Sequence, residues 1–183
     1  MKKFVLTLTI LVSNAIVFAQ KAPITQFRHF KIDNNDLIYQ RVVDTTVSAT
    51  DALKYLRSLS GTRKVQLVDD FITAEFENVP VDIRRIGRNW LFVPGVITDY
   101  NISGKLTVEL REGRYRITLS GMFLVAITDA ARKFGEETFA DRMLKPNKTS
   151  IRPAMAEDAL GIYDLFFTDY FLIKSTSVTT SEW

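Results

Sequence analysis

The feature that most limits what this chain can fold into is the absence of cysteine from its 183 residues. Without cysteine the chain cannot form disulfides, bind zinc or iron through thiolates, or use a thiol nucleophile. A domain that lacks such cross-links must be held together by a buried apolar core. We therefore expect one ordinary domain stabilised by packing.

The first nineteen residues have the pattern of an export signal. Lys2 and Lys3 supply positive charge at the start, residues 4–17 are largely apolar, and Ala19 provides a small side chain at the cleavage position. We predict cleavage after Ala19. The protein is then exported, to the periplasm or as a secreted protein.

A retained membrane anchor is the alternative reading of this segment. Its apolar run is shorter than the roughly 20 residues that cross a bilayer, and Ser13 and Asn14 interrupt it. No later stretch is long and apolar enough to span, so we expect no transmembrane segment after signal removal. A bacterial lipoprotein is excluded because its cleavage site requires a cysteine.

The charge of the chain gives no indication of nucleic-acid binding. The whole sequence has 24 basic and 21 acidic residues, but two of the lysines lie in the predicted signal. Taking those two away leaves 22 basic against 21 acidic residues, which is a net charge of +1. A near-neutral exported chain lacks the basic surface that nucleic acid requires.

Residues 27–126 have the alternation of a mainly β-stranded domain that includes one helix. Strands are predicted at 27–32 and 37–43 and within 65–76, with turns at Asp33–Asp36 and Asp69–Asp70. A helix is predicted between a cap at Ser48 and a stop at Gly61. The clearest hairpin joins 106–110 to 115–119 through Arg111-Glu112-Gly113, whereas 78–104 is mixed.

The ends of the mature chain differ from this central domain. Residues 20–26 are predicted to be an extended lead-in, and residues 127–183 a helical C-terminal extension. Thr128 and Asp129 predict a helix start, with the segment continuing through Phe134 towards Met143. A final helix is predicted from apolar residues at spacings of three and four, namely Ala156, Leu160, Tyr163, Phe167 and Tyr170.

The final helix has more apolar residues than one buried face requires. Phe166, Phe171 and Leu172 lie outside the main stripe. Either the helix is deeply docked on its own domain, or these residues contact a partner.

The segment 103–117 resembles a known family. Ser103-Gly104-Lys105-Leu106-Thr107-Val108 followed by Arg111-Glu112-Gly113-Arg114-Tyr115-Arg116-Ile117 is similar to secreted Gram-negative bacterial proteins that carry a domain of unknown function with a TATA-binding-protein-like (TBP-like) fold. The resemblance covers about residues 27–126. It implies an α+β fold with a curved antiparallel sheet backed by a helix. It implies no activity, cofactor or catalytic residue.

The chain contains no sequence motif for catalysis by histidine, serine or a metal ion. His29 is the only histidine and follows Arg28 on a predicted strand, so a solvated or capping role is expected. No serine-nucleophile motif occurs. The turn Asp33–Asp36 has oxygens that could bind calcium but lacks the spacing of an EF-hand loop, so we interpret it as an ordinary turn. We predict no catalytic residue, no metal site and no cofactor.

Carboxylates are the remaining route to an enzyme, because two acids facing one bond can hydrolyse glycosides. Such acids usually face solvent when they lie on turns and exposed strand faces. The available residues are Asp69, Asp70, Glu75, Glu77, Glu136, Glu137, Glu157 and Asp158.

Two arginine clusters are candidate anion sites. Arg84, Arg85 and Arg88 precede Trp90, and a second group, Arg111, Arg114 and Arg116, flanks the hairpin turn. Arginine forks beside an aromatic ring suit phosphates, sulfates or acidic glycans. Solvated surface charge is the alternative.

The pattern as a whole favours an exported, non-enzymatic binding or interaction module. Candidate anion or partner contacts are Arg84, Arg85, Arg88, Trp90, Phe166, Phe171 and Leu172. The partner is expected to be a protein or an envelope component, and the sequence leaves the oligomeric state open. The alternative is a carboxylate-dependent hydrolase acting on envelope or extracellular polymer.

Overall fold

A computed structural model describes residues 22–173, apart from the side chain of Trp90. The predicted export signal, residues 1–19, lies outside the described residues. Within residues 22–173, eight strands form one antiparallel sheet in the order β1-β2-β3-β7-β6-β5-β4, with β8 beside β7. The strands are β1 (Gln26–Phe27), β2 (Phe30–Asp33), β3 (Asp36–Val43), β4 (Thr62–Val68), β5 (Phe71–Val79), β6 (Tyr100–Arg111), β7 (Arg114–Ala126) and β8 (Glu137–Thr138).

The helices are short, except for one after β3 and one at the C-terminal end of the described chain. They are α1 (Ala49–Ser58), α2 (Gly95–Thr98), α3 (Asp129–Arg132), α4 (Phe139–Met143), α5 (Pro153–Met155) and α6 (Gly161–Tyr170). A π-helical turn, Ala156–Leu160, joins α5 to α6. We call residues 153–170 the C-terminal helix. The predicted α+β class, a curved antiparallel sheet with helices, is confirmed.

The two predicted turns with the clearest residue signals are present. Asn34 and Asn35 both have positive φ between β2 and β3, a conformation that asparagine tolerates better than most residues. Gly113, with φ +75°, turns β6 into β7. The hairpin strands extend to 12 and 13 residues, well beyond the predicted cores of five.

Helix α1 forms where the cap and the apolar spacing place it. The Ser48 hydroxyl accepts a hydrogen bond from the Asp51 backbone N–H at 3.0 Å, which satisfies one free donor of the first turn. Ala52 and Leu56 are fully buried on the side that faces the sheet. The helix therefore backs the sheet as predicted.

The chain after β7 differs from the predicted single helix. Helix α3 ends at Arg132, and Gly135 then adopts φ +76°, which breaks the helical path. Strand β8 follows, and Thr138 caps α4 by accepting from the Asp141 N–H at 3.0 Å. The left-handed conformation of Gly135 and the cap at Thr138 therefore break the predicted helix, whose apolar pattern is weak.

The C-terminal helix is docked on its own sheet. Phe166 and Phe171 are 2% and 1% exposed, and Leu172 is partly buried. Phe166 and Phe171 are therefore core residues, which corresponds to the first of the two alternatives, docking on the protein's own domain, and not to their listing as candidate partner contacts. The π-helical turn and α6 present apolar residues on several sides because the sheet and neighbouring helices surround them.

The sheet has one covered and one open face. Tyr115 and Ile117 of β7 are buried with the helices in the single core, whereas Arg116 and Thr118 point to the opposite side. Every helix within residues 22–173 that has buried residues contributes them to that core. None of these helices covers the opposite side, which we call the open face.

Candidate functional site

Four residues form a row across the middle of the open face. Strand register places Val42 of β3 opposite Arg116 of β7, Arg116 opposite Glu109 of β6, and Glu109 opposite Phe71 of β5. Neighbouring side chains in such a row lie about 5 Å apart and interact directly. We call Val42, Arg116, Glu109 and Phe71 the anchor row.

Glu109 is an acid almost enclosed by arginines, with only 7% of its surface exposed. Its Oε1 accepts a hydrogen bond from Nε of Arg111 at 2.7 Å, and its Oε2 accepts from Arg116. The hydrogen bond from Arg111, with the charge of Arg116, holds the pKa of Glu109 below its usual value. The carboxylate therefore stays ionised and holds two guanidinium groups in fixed positions.

A cleft of about 210 Å³ opens beside this pair of arginines. It is lined by Val42, Glu109, Arg111, Arg114, Tyr115 and Arg116. Arg114 makes no ion pair with any residue between 22 and 173. Three arginines against one glutamate leave a net charge of +2, so the cleft attracts anions.

Apolar side chains flank the cationic cleft. Val42 is 52% exposed, and Phe71 and Val68, which lie opposite each other on β5 and β4, are also exposed. Exposed apolar groups around a fixed charge are typical of sites that bind amphipathic partners. The anchor row thus combines a charged centre with apolar ends.

A polar row runs beside the anchor row. Its members face one another across five strands, and they are Gln40, Thr118, Thr107, Thr73 and Gln66. The Gln40 side-chain amide donates to Oγ1 of Thr118 at 3.2 Å and accepts from Lys31 at 2.8 Å. Hydroxyl and amide groups both donate and accept hydrogen bonds, so this row can bind an extended backbone.

The other predicted arginine cluster lies away from the anchor row. Arg85 forms an ion pair with Asp169 of the C-terminal helix, which places its loop on the covered side of the sheet. Arg84 and Arg88 line a separate cleft in that loop. Trp90 belongs to the same loop, but its side chain lies outside the described residues. The structure therefore keeps the two arginine clusters apart.

His29 has a partner that the sequence analysis missed. Its Nδ1 lies 2.7 Å from Oδ1 of Asp164, and Arg28 Nη1 lies 3.4 Å from Oδ2 of the same carboxylate. Asp164 is a lone acid in the apolar segment 159–167, which is the signal that could have predicted a buried ionic partner. The contact fastens the β1–β2 turn to the C-terminal helix.

The two buried acids of the described chain do not face one cleft together, as the two acids of a glycoside hydrolase do. Glu109 and Asp164 are the buried carboxylates among residues 22–173, and they lie on opposite sides of the sheet, each paired with arginine. Asp36 of the predicted turn accepts from the backbone N–H groups of Leu37 and Gly121. No group of three acids or histidines in this part of the chain could hold a metal.

No helix within residues 22–173 has both the length and the apolar character needed to cross a bilayer.

Comparison with known proteins returns structural neighbours only. No protein-family model matches the chain, and no curated protein matches it. Among solved structures, a TBP-like protein from Parabacteroides distasonis is similar at 15% identity, covering 74% of this chain and 86% of the other, with a TM-score of 0.41. A DUF4468 family protein from Bacteroides ovatus is similar at 14% identity, covering 81% and 93%, with a TM-score of 0.45. These neighbours, one TBP-like and one from a family of unknown function, agree with the family resemblance stated from the sequence.

Proposed function

We propose that the protein is an exported, non-enzymatic binding module whose open face binds an extended acidic segment of another protein. The observation that carries this proposal is the anchor row. Glu109 of that row holds Arg111 and Arg116 in place, and Arg114 lies beside them. The exposed side chains of Val42 and Phe71 lie at the two ends of the row. A preordered cationic centre with apolar flanks suits a segment that carries both acidic and apolar residues.

Different groups of residues on the open face bind different chemical groups of the partner. A carboxylate of the partner binds Arg114 and the guanidinium edges of Arg111 and Arg116 that face away from Glu109. Apolar side chains of the partner pack on Val42 and Phe71. The partner backbone makes hydrogen bonds with the polar row, which supplies orientation more than affinity.

Binding is favoured over hydrolysis because the buried acids serve other roles. Glu109 is neutralised by two arginines, and Asp164 is bound to His29 and Arg28 on the covered side. A hydrolase would need two acids that face one cleft at a fixed separation. Among the described residues, those that line the cleft beside Glu109 include no second acid.

Arg114→Glu is expected to weaken partner binding at least tenfold. The change removes a charge-assisted hydrogen bond, which contributes about 1.5–3 kcal/mol, and places a negative charge in the cleft. Because the ligand is unidentified, the probe is a displayed library of short random peptides selected on the immobilised protein. Selected peptides should combine Asp or Glu with aromatic or aliphatic residues, and their affinity is measured by fluorescence anisotropy.

Lys54→Glu is the matched control for this measurement, since it makes the same charge change at an exposed position of α1. It should leave peptide affinity unchanged within about twofold. Selected peptides without acidic residues, or equal losses in the two variants, would contradict the proposal.

A further inference from the structure

The loop between β5 and β6 presents two large apolar side chains to solvent. Leu91 is 64% exposed and Phe92 is 85% exposed. Both belong to a 3₁₀ turn in which Asn89 accepts hydrogen bonds at 3.1 Å from each of their backbone N–H groups. The turn therefore holds this pair of side chains away from the core in a fixed backbone conformation.

The same loop is attached firmly to the body of the protein. Ile83, Ile86 and Val93 pack against the core, and the side chain of Arg85 forms an ion pair with Asp169. Apolar residues on either side of the turn are thus partly buried, while Leu91 and Phe92 remain outside. Their exposure is a property of an anchored loop and not of an unpacked one.

Two further arginines lie in the same loop as Leu91 and Phe92. Arg84 and Arg88 make no ion pair with any residue of the described chain, and they line a cleft of about 490 Å³. The other lining residues are Val81, Asp82, Ile83 and Asn89. Asp82 contributes one negative charge, and its Oδ1 accepts from the Arg85 backbone N–H at 3.0 Å. The loop therefore keeps a net positive charge close in sequence to Leu91 and Phe92.

We propose that residues 84–92 form a docking loop for the surface of an anionic phospholipid bilayer. Leu91 and Phe92 enter the boundary between headgroups and acyl chains, and Arg84 and Arg88 bind lipid phosphates. Apolar side chains on an anchored turn, in the same loop as arginines that make no ion pair within the described chain, match the two layers of such a surface. The loop and the open face lie on different sides of the sheet, so this inference is independent of the proposed partner site.

The test is vesicle co-sedimentation of the processed protein, purified from the cells that produce it. Vesicles of phosphatidylcholine with about a third phosphatidylglycerol are compared with vesicles of phosphatidylcholine alone. The protein should bind the anionic vesicles, and Leu91→Ser with Phe92→Ser should reduce that binding at least tenfold. Arg84→Glu with Arg88→Glu should reduce it similarly and remove its dependence on salt concentration.

Leu67→Ser is the matched control, because Leu67 is also an exposed apolar residue but lies on the edge strand β4. It should leave vesicle binding unchanged. All variants alter exposed residues, and circular dichroism and thermal unfolding verify that they are folded. Failure of the wild-type protein to bind anionic vesicles, or equal binding by the loop variants, would overturn the proposal. Concentration-dependent self-association that Phe92→Ser abolishes, without vesicle binding, would also overturn it, by making the loop a contact between copies.

Discussion

Phe167→Ala is expected to destabilise the protein by about 3–5 kcal/mol, which is a large part of the stability of an ordinary domain. Phe167 is fully buried in the C-terminal helix, and its ring centroid lies 5.3 Å from Tyr39 and 6.1 Å from Phe30 of the sheet. Alanine would leave a cavity between helix and sheet that the surrounding aromatic rings could fill only in part. Urea unfolding monitored by circular dichroism gives the free energy of unfolding.

Phe134→Ala provides the comparison, since the same side chain is 80% exposed there. It should change the free energy of unfolding by less than about 0.5 kcal/mol. A loss below about 1 kcal/mol for Phe167→Ala would mean that the C-terminal helix does not pack on the sheet.

Alkaline pH is expected to unfold the protein cooperatively above about pH 10, because five tyrosines have raised pKa values. Burial is the main cause at each position, and it raises the pKa of Tyr39 to about 12. The other four are Tyr55, Tyr115, Tyr163 and Tyr170. A buried phenol is neutral in the folded protein but ionises near pH 10 when the chain unfolds.

The direction of the effect follows from the raised pKa. The contribution of Tyr39 to stability is fully present below pH 10. As the pH rises towards 12, Tyr39 ionises in the unfolded chain but not in the folded protein, and about 3 kcal/mol of stability is lost. Tyrosinate absorbance and far-ultraviolet circular dichroism should therefore change together during a pH titration. Tyr39→Phe should make the loss of stability with pH less steep. Complete tyrosine ionisation while the circular dichroism remains native would contradict this expectation.

The parts of the fold that depend on neighbouring residues could be predicted from the sequence. The hairpin around Gly113 and helix α1 after Ser48 follow from alternation, turn residues and capping, which act over a few positions. The Glu109–Arg116 pair could also have been predicted, because the turn at Gly113 fixes which residues of the two strands face each other.

Contacts between distant segments could not be predicted in the same way. His29 and Asp164 are 135 positions apart, and nothing local indicates that they meet. The excess of apolar residues in the C-terminal helix allowed both docking and partner binding, and only the position of the sheet shows that Phe166 and Phe171 are enclosed. The exposure of Leu91 and Phe92 likewise depends on how the 80–94 loop is anchored.

Site-specific photo-crosslinking in the cells that produce the protein tests the binding role of the open face most directly. A photoreactive amino acid is placed at Val42 or at Thr73 on the open face, and at Lys54 on α1 as the control. We expect adducts from Val42 and Thr73 but not from Lys54, and the attached segment should carry both acidic and apolar residues. Adducts from Lys54 alone, or none from the open face, would show that the open face is not the binding surface.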